Sequence, residues 1–253
     1  MNMNKIALVT GGSRGLGKDM ALNLAKKGLD VILTYHSKKE EAERVVSEIG
    51  EMGRRCFALQ LDTGNTKSFD SFFSELVSRL SATFSTDKFD FLVNNAGIGV
   101  TAAFAETTEE QFDSLINIQF KGPFFLTQKA MPYMNDGGGI VNISTGLTRI
   151  ILPYYPAYAS TKAAMENLTK YLAKDLGSRG IRVNIVAPGA IETDFAGGMV
   201  RDNADMNNHI ASQTALGRVG LPSDIGSVVA FLCTDEAKWI TAQRIEISGG
   251  QML

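Results

Sequence analysis

The chain is poor in the side chains that bind transition metals, with two cysteines and two histidines among 253 residues. A zinc-type site draws three or four ligands from those residue types, so His36 and His209 make none, and no metal is expected. Cys56 and Cys233 stand far apart without ligand-like spacing, which reads as a reduced, cytoplasmic protein. No run of about 18 apolar residues occurs, so no membrane span is expected. Residues 1–5 lead directly into an apolar run without the layout of a secretory leader. Charge of one sign is lacking too: 25 basic against 27 acidic residues leave a net charge of −2. That balance gives no electrostatic reason to expect nucleic acid or an anionic membrane as partner. Repeats, low-complexity tracts and Pro/Ser linkers are also missing. What remains is 44% hydrophobic and 21% charged. One domain over residues 1–253, with a large core, is the expectation.

Short apolar runs rich in β-branched residues alternate with longer amphipathic stretches. Strands are predicted at 6–9, 31–34, 55–60, 89–93, 140–143, 182–186 and 244–247. Helices are predicted at 16–27, 39–52, 68–80, 109–134, 157–178 and 223–234. Nearly continuous apolar strands separated by helices predict an α/β fold of the doubly wound, Rossmann type: a parallel sheet of about seven strands with helices on both faces. Right-handed crossovers put the strand C-termini on one edge, where ligands bind. Residues 194–215, rich in Gly, Asn and Met, have weak periodicity and read equally as a lid over substrate or as an irregular surface connection.

After the first strand comes Thr10-Gly11-Gly12-Ser13-Arg14-Gly15-Leu16-Gly17 and then a helix. Glycines let the backbone turn tightly beside a pyrophosphate, and the helix start offers free N–H groups and a positive dipole end. The spacing is G-x-x-x-G-x-G, not the common dinucleotide fingerprint. A carboxylate at the end of the second strand would bind a ribose 2′-OH and repel a 2′-phosphate. Here Tyr35-His36-Ser37-Lys38-Lys39 offers none before Glu40. Cations there, together with Arg14, favour NADP(H) over NAD(H).

Tyr158 and Lys162 form Y-x-x-x-K on a predicted helix, both on one face. Hydride reduction of a ketone needs a proton for the developing alkoxide, and a nearby ammonium stabilises the phenolate that results. Spacing alone is weak evidence, since Tyr35 and Lys39 repeat it, and Tyr154 and Tyr155 lie close by. Context separates them. The strand before Tyr158 ends in Ser144-Thr145, two hydroxyls at the ligand edge that are able to hold a carbonyl.

These motifs, in this order over nearly the whole chain, resemble the short-chain dehydrogenase/reductase family. Its T-G-x-x-x-G-x-G matches Thr10, Gly11, Gly15 and Gly17, and its N-N-A-G matches Asn94, Asn95, Ala96 and Gly97. The resemblance implies that Gly11, Ser13, Arg14, Gly15, Leu16 and Gly17 bind the cofactor, with Tyr35, His36 and Ser37. It implies the same of Asp62 and Thr63 near the adenine, of Asn95, Ala96 and Gly97, and of Pro188, Gly189, Ile191 and Thr193 around the nicotinamide. Asp224 and Ser248-Gly249-Gly250 fit the family's late helix and last strand. Tyr158 becomes the general acid or base and Lys162 its helper and ribose ligand. Thr145, thirteen residues before Tyr158, takes the place of the family's serine, with Ser144 as the fallback. Gln119 falls where the family has a water-holding Asn; Asn117 is two residues earlier, about 200° around a helix. The implied activity is hydride transfer between NADP(H) and a small carbonyl or alcohol substrate, by a homotetramer. A dinucleotide-binding sensor or scaffold with weakened catalysis is the alternative. The acid Asp136 stands where acyl-carrier-protein reductases tend to be basic, which argues against a fatty-acid role.

Overall fold

A computed structural model describes residues 4–253. It holds one seven-stranded sheet in the order β3-β2-β1-β4-β5-β6-β7, every neighbouring pair parallel. The strands are β1 (Ile6–Val9), β2 (Asp30–Tyr35), β3 (Cys56–Gln60), β4 (Phe89–Asn94), β5 (Met134–Ile143), β6 (Arg182–Pro188) and β7 (Arg244–Ile247). The helices are α1 (Gly15–Lys26), α2 (Lys39–Glu51), α3 (Phe69–Phe84), α4 (Glu109–Ile116), α5 (Gly122–Ala130), α6 (Pro156–Leu176), α7 (Met199–Asp202), α8 (Ala204–Ser212) and α9 (Pro222–Leu232). Among them, none is long and apolar enough to cross a membrane.

Strand alternation sends neighbouring residues to opposite faces. Ala7 and Val9 join Met20, Leu24, Val45 and Ile225 beneath α1, α2 and α9. Ile6 and Leu8 join Phe69, Leu76, Leu126 and Ala173 beneath α3, α5 and α6. Both faces are therefore dry, as the continuous apolar strands require. The order reverses at β1, between β2 and β4, and the crevice beyond their C-terminal ends lies at that switch point.

Two elements depart from the sequence expectation. The helix predicted over 109–134 is broken: α4 ends at Ile116, Asn117–Lys121 forms a π-turn, and α5 ends at Ala130. Pro123 and Pro132 lack the N–H groups a continuous helix would use. The chain then enters β5 at Met134, six residues before the expected 140. Glycines 137–139 serve as strand, where a Cβ at Gly138 would lie 2.0 Å from the Asp90 carbonyl oxygen. Only glycine lets β4 and β5 approach there.

Residues 194–215 are more ordered than their weak periodicity suggests. Ala196, Gly197 and Gly198 stand at φ of 51°, 77° and 77°. α7 and α8 follow, the latter capped by Asn203 Oδ1 accepting from the Met206 N–H at 2.9 Å.

Candidate active site

β5 delivers Ser144 and Thr145 to the C-terminal edge of the sheet, and α6 passes beside them. Tyr158 and Lys162, one turn apart on α6, are both buried, 7% and 5% exposed. The Thr145 side chain lies beside the Tyr158 phenol and acts to lower its pKa. Lys162 Nζ donates to the Ile143 carbonyl oxygen at 2.8 Å and lies 5.9 Å from the Tyr158 ring centre. The three side chains proposed from sequence thus meet in one cluster. Burial pushes the Tyr158 phenol above its ordinary range, and neighbouring Thr145 works in the opposite direction. Burial pulls the Lys162 ammonium down to about 8. The phenol therefore keeps its proton near neutrality, while the ammonium changes charge just above it.

Ser144, the fallback hydroxyl, is engaged by Glu166. Its Oγ donates to Glu166 Oε1 at 2.6 Å, which uses its only proton. Thr145 Oγ1 accepts from the Leu147 N–H at 3.3 Å, leaving its proton free for the cleft. The neighbouring tyrosines are placed differently. Tyr154 is 56% exposed, and Tyr155, whose ring centre is 6.4 Å from that of Tyr158, precedes the helix. Tyr35 ends β2 while Lys39 opens α2, so their spacing never places them on one helix face.

Gln119 lies in the π-turn, 2% exposed, and neither its amide nitrogen nor its amide oxygen has a hydrogen-bond partner. A Cβ on Gly97 would come within 2.8 Å of the Gln119 oxygen, so Gly97 makes room for the longer side chain. Leaving a buried amide unpaired is costly, and such a group marks a place for water or ligand. Nearby, Asn94 donates to Thr127 Oγ1 at 3.1 Å and to Asn142 Oδ1 at 2.9 Å, tying β4 to α5 and β5. Asn142 in turn donates to Thr169 on α6 at 2.9 Å. Sequence reasoning assigned only the first member of this chain.

The glycine loop forms a cradle beside β1. Gly11 and Gly15 adopt φ of 66° and 54°. A Cβ on Gly17 would lie 2.1 Å from the Gly11 oxygen, whereas one on Gly15 would meet nothing closer than 3.9 Å. The loop is therefore packed on its inner side and open outward. Asn95 Nδ2 holds its floor through the Thr10 and Gly11 oxygens at 2.9 and 3.2 Å, and the Ala96 N–H donates to Thr10 Oγ1 at 3.0 Å. No side chain caps the first turn of α1, whose N–H groups remain available to an anion. These features fit a pyrophosphate.

Around the cradle, Ser13 and Leu16 are half-buried, Thr63 is buried, and Tyr35 leads to exposed His36 and Ser37. His36 Nε2 lies 3.9 Å from Asp62 Oδ2, and Asp62 Oδ1 accepts from the Gly64 N–H at 2.8 Å. Asp62 thus shapes the loop after β3. Pro188 ends β6; the Gly189 N–H donates to the Ile247 oxygen at 2.9 Å, and Ile191 bridges to Gly220. Thr193 Oγ1 accepts from the Phe195 N–H at 3.2 Å. Arg14 is not an isolated cation: its Nη1 lies 3.8 Å from Asp194 Oδ2, and Asp194 also pairs with Arg201. The glycine loop and the start of the 194–215 segment are joined by charge across 180 residues of sequence. Sequence reasoning also missed Phe195, whose ring centre is 5.7 Å from that of Tyr158.

Residues 11–252 match a family model described as enoyl-(acyl carrier protein) reductase. The chain is 38% identical to the 3-oxoacyl-[acyl-carrier-protein] reductase FabG of Staphylococcus aureus, over 100% of both proteins. Among solved structures it resembles the angucycline C-6 ketoreductase LanV with bound NADP, with a TM-score of 0.93 and 36% identity over 99% of this chain and 97% of that one. It also resembles a short-chain dehydrogenase/reductase from Serratia marcescens, with a TM-score of 0.91 and 32% identity over 99% of each.

Proposed function

Because the chain belongs to the short-chain dehydrogenase/reductase family, we propose that Tyr158 is the acid with which it reduces a ketone, using NADP(H) in preference to NAD(H). The chain is a nicotinamide-dependent oxidoreductase of carbonyl and alcohol groups. The reading of the site rests on one observation: Tyr158, Thr145 and Lys162 share a buried cluster at the sheet edge that also carries the glycine cradle. The cofactor, when bound, supplies the hydride. Thr145 holds the carbonyl oxygen through its free proton, and Tyr158 protonates the developing alkoxide. Lys162, as the ammonium, stabilises the phenolate left behind and binds a ribose hydroxyl. Gln119, with both amide atoms unpaired, holds a water that returns the proton. The preference for NADP(H) is supported by the exposed Lys38 and Lys39 and by the lack of an acid between Tyr35 and Glu40. The assembly is read as a homotetramer in the cytoplasm, built on α5 and α6, where Phe124, Phe125 and Tyr171 are exposed.

The pH dependence follows from Lys162. Its ammonium is present below a pKa of about 8 and is lost above it. Reduction should therefore be flat toward lower pH and fall by about tenfold per unit on the alkaline side. A rate that rises through this range, measured as NADPH oxidation at saturating ketone, would contradict the role given to the ammonium.

The mouth of the cleft narrows the substrate class. Segments 98–105, 150–157 and 195–200 contain no charged side chain, and Ile151, Phe104 and Phe195 are exposed. Asp136 pairs with Arg179 at 2.7 Å, so the acid is neutralised and neither repels nor attracts an acidic carrier. A neutral, ring-bearing ketone suits this rim better than a charged acyl carrier. In a panel with NADPH and NADH, ring ketones should be reduced faster than acyl thioesters, and faster with NADPH. Phe195→Ala should lower kcat/KM for ring ketones by about tenfold, as loss of an aromatic face implies, and leave small aliphatic ketones unchanged. Faster turnover of thioesters would overturn the substrate class, and NADPH binding without turnover of any carbonyl would favour a sensor.

A further inference from the structure

Glu166 is a carboxylate on the inner face of α6 that the reaction does not use. It follows Lys162 by four residues, as Lys162 follows Tyr158, so one face of the helix presents all three in succession. Its side chain is only 17% exposed. A carboxylate so placed needs donors, and its Oε1 receives three: the Ser144 hydroxyl at 2.6 Å, the Thr148 hydroxyl at 2.8 Å and Arg244 Nε at 2.8 Å.

Those partners enclose one residue. Ser144 precedes Thr145 and Thr148 ends the single 3₁₀ turn that follows it. Both ends of the segment bearing Thr145 are thus fastened to one oxygen. Arg244 closes the frame, with Nη2 reaching Thr148 Oγ1 at 3.0 Å and the Thr145 carbonyl oxygen at 3.4 Å. Arg244 is itself held by Glu246 at 2.9 Å, and Glu246 accepts from Arg149 at 2.6 Å and from the Ser248 hydroxyl at 2.8 Å. The Thr145 hydroxyl makes no bond to the Glu166 carboxylate: its Oγ1 accepts from the Leu147 N–H at 3.3 Å, and the side chain sits beside Tyr158.

We infer that Glu166 is a positioning residue, which fixes the Ser144–Thr148 turn so that the Thr145 hydroxyl stays in register with Tyr158. The inference rests on the role proposed for Thr145. Without the carboxylate, two hydroxyls and a guanidinium lose a common acceptor, and the turn relaxes toward solvent. Displacement of a catalytic group by about an ångström costs up to about 100-fold in rate, while cofactor affinity has no part in it.

The test is a double-mutant cycle on the full chain, with NADPH and its best ketone. Glu166→Ala should lower kcat by about 10- to 100-fold, with the Kd for NADPH unchanged. Glu166→Gln, which keeps the acceptor oxygen, should retain kcat within about threefold of the parent. In a Thr145→Ala background, Glu166→Ala should cost less than about twofold more, because residues acting through one another are not additive. Equal losses in both backgrounds would overturn the inference and leave the role of Thr145 standing. An unchanged kcat in Thr145→Ala alone would remove that role and this inference with it. Should Glu166→Ala fail to fold, Thr148→Val removes one donor and keeps the Glu166–Arg244 pair. It should show the same non-additive loss of kcat, and an unchanged kcat would overturn the inference.

Discussion

Tyr158→Phe is expected to lower kcat for ketone reduction about a thousandfold, within the range general acid catalysis contributes, with NADPH affinity unchanged. The substitution removes one oxygen. The ring keeps its burial and its neighbours Tyr155 and Phe195, with ring centres at 6.4 and 5.7 Å. What is lost is the phenol proton proposed for the alkoxide. Thr145 still has a hydroxyl proton, but an aliphatic alcohol is a far weaker acid than a phenol and does not replace it. Circular dichroism and thermal melting should match the parent, since no packing is removed. Turnover within threefold of the parent would move the acid elsewhere, and Tyr155 would be the next group to test.

The second large effect belongs to the cofactor cradle. Gly17→Ala adds one methyl group, whose carbon would start 2.1 Å from the Gly11 oxygen and 2.5 Å from Asn95 Nδ2. The first contact is backbone, so the loop or the first turn of α1 must move, and Asn95 loses its grip on the loop floor. Overpacking of this severity costs about 3 kcal/mol. For a chain of this size that lowers Tm by about 6–12 °C. NADPH affinity should fall by about 100-fold, equivalent to a further loss of about 2.7 kcal/mol in binding. The same change at Gly50, in α2, meets nothing within 4 Å. Gly50→Ala should be neutral or stabilising by up to about 1 kcal/mol, from helix propensity alone. Equal effects at the two positions, read by thermal melting and NADPH titration, would show that the loop is not packed as described.

Much of this was legible in the sequence because it depends on local pattern. Continuous apolar strands such as Ile6–Val9 can be buried only between two helical layers, and both core clusters follow from their alternation. Tyr158 and Lys162 share a helix face by spacing, and Thr145 precedes them at a strand end. The rest depends on contacts distant in sequence or on the direction of a side chain. Nothing local distinguishes the hydroxyl of Ser144 from that of Thr145; the difference is Glu166, on another element. Arg14 reads as a free cation until Asp194 is brought within 3.8 Å. The early start of β5 at Met134 was not legible, because the close approach of Asp90 to Gly138 exists only in the sheet. The π-turn at Asn117–Lys121 interrupts a pattern that reads as one helix, and it is there that Gln119 is buried. One signal was present and unused: Glu166 is charged at the position where the inner face of α6 continues after Tyr158 and Lys162.

A single turnover with NADPH carrying two deuterium atoms at its reactive carbon tests Tyr158 as the proton donor in a direct hydride transfer to a ketone, with the alcohol product analysed by mass spectrometry. The parent protein should place the deuterium on the carbinol carbon within one turnover, and Tyr158→Phe should bind the labelled cofactor yet form that product about a thousandfold more slowly. A carbinol carbon without deuterium, or an equal rate of labelled product from both proteins, would contradict this assignment.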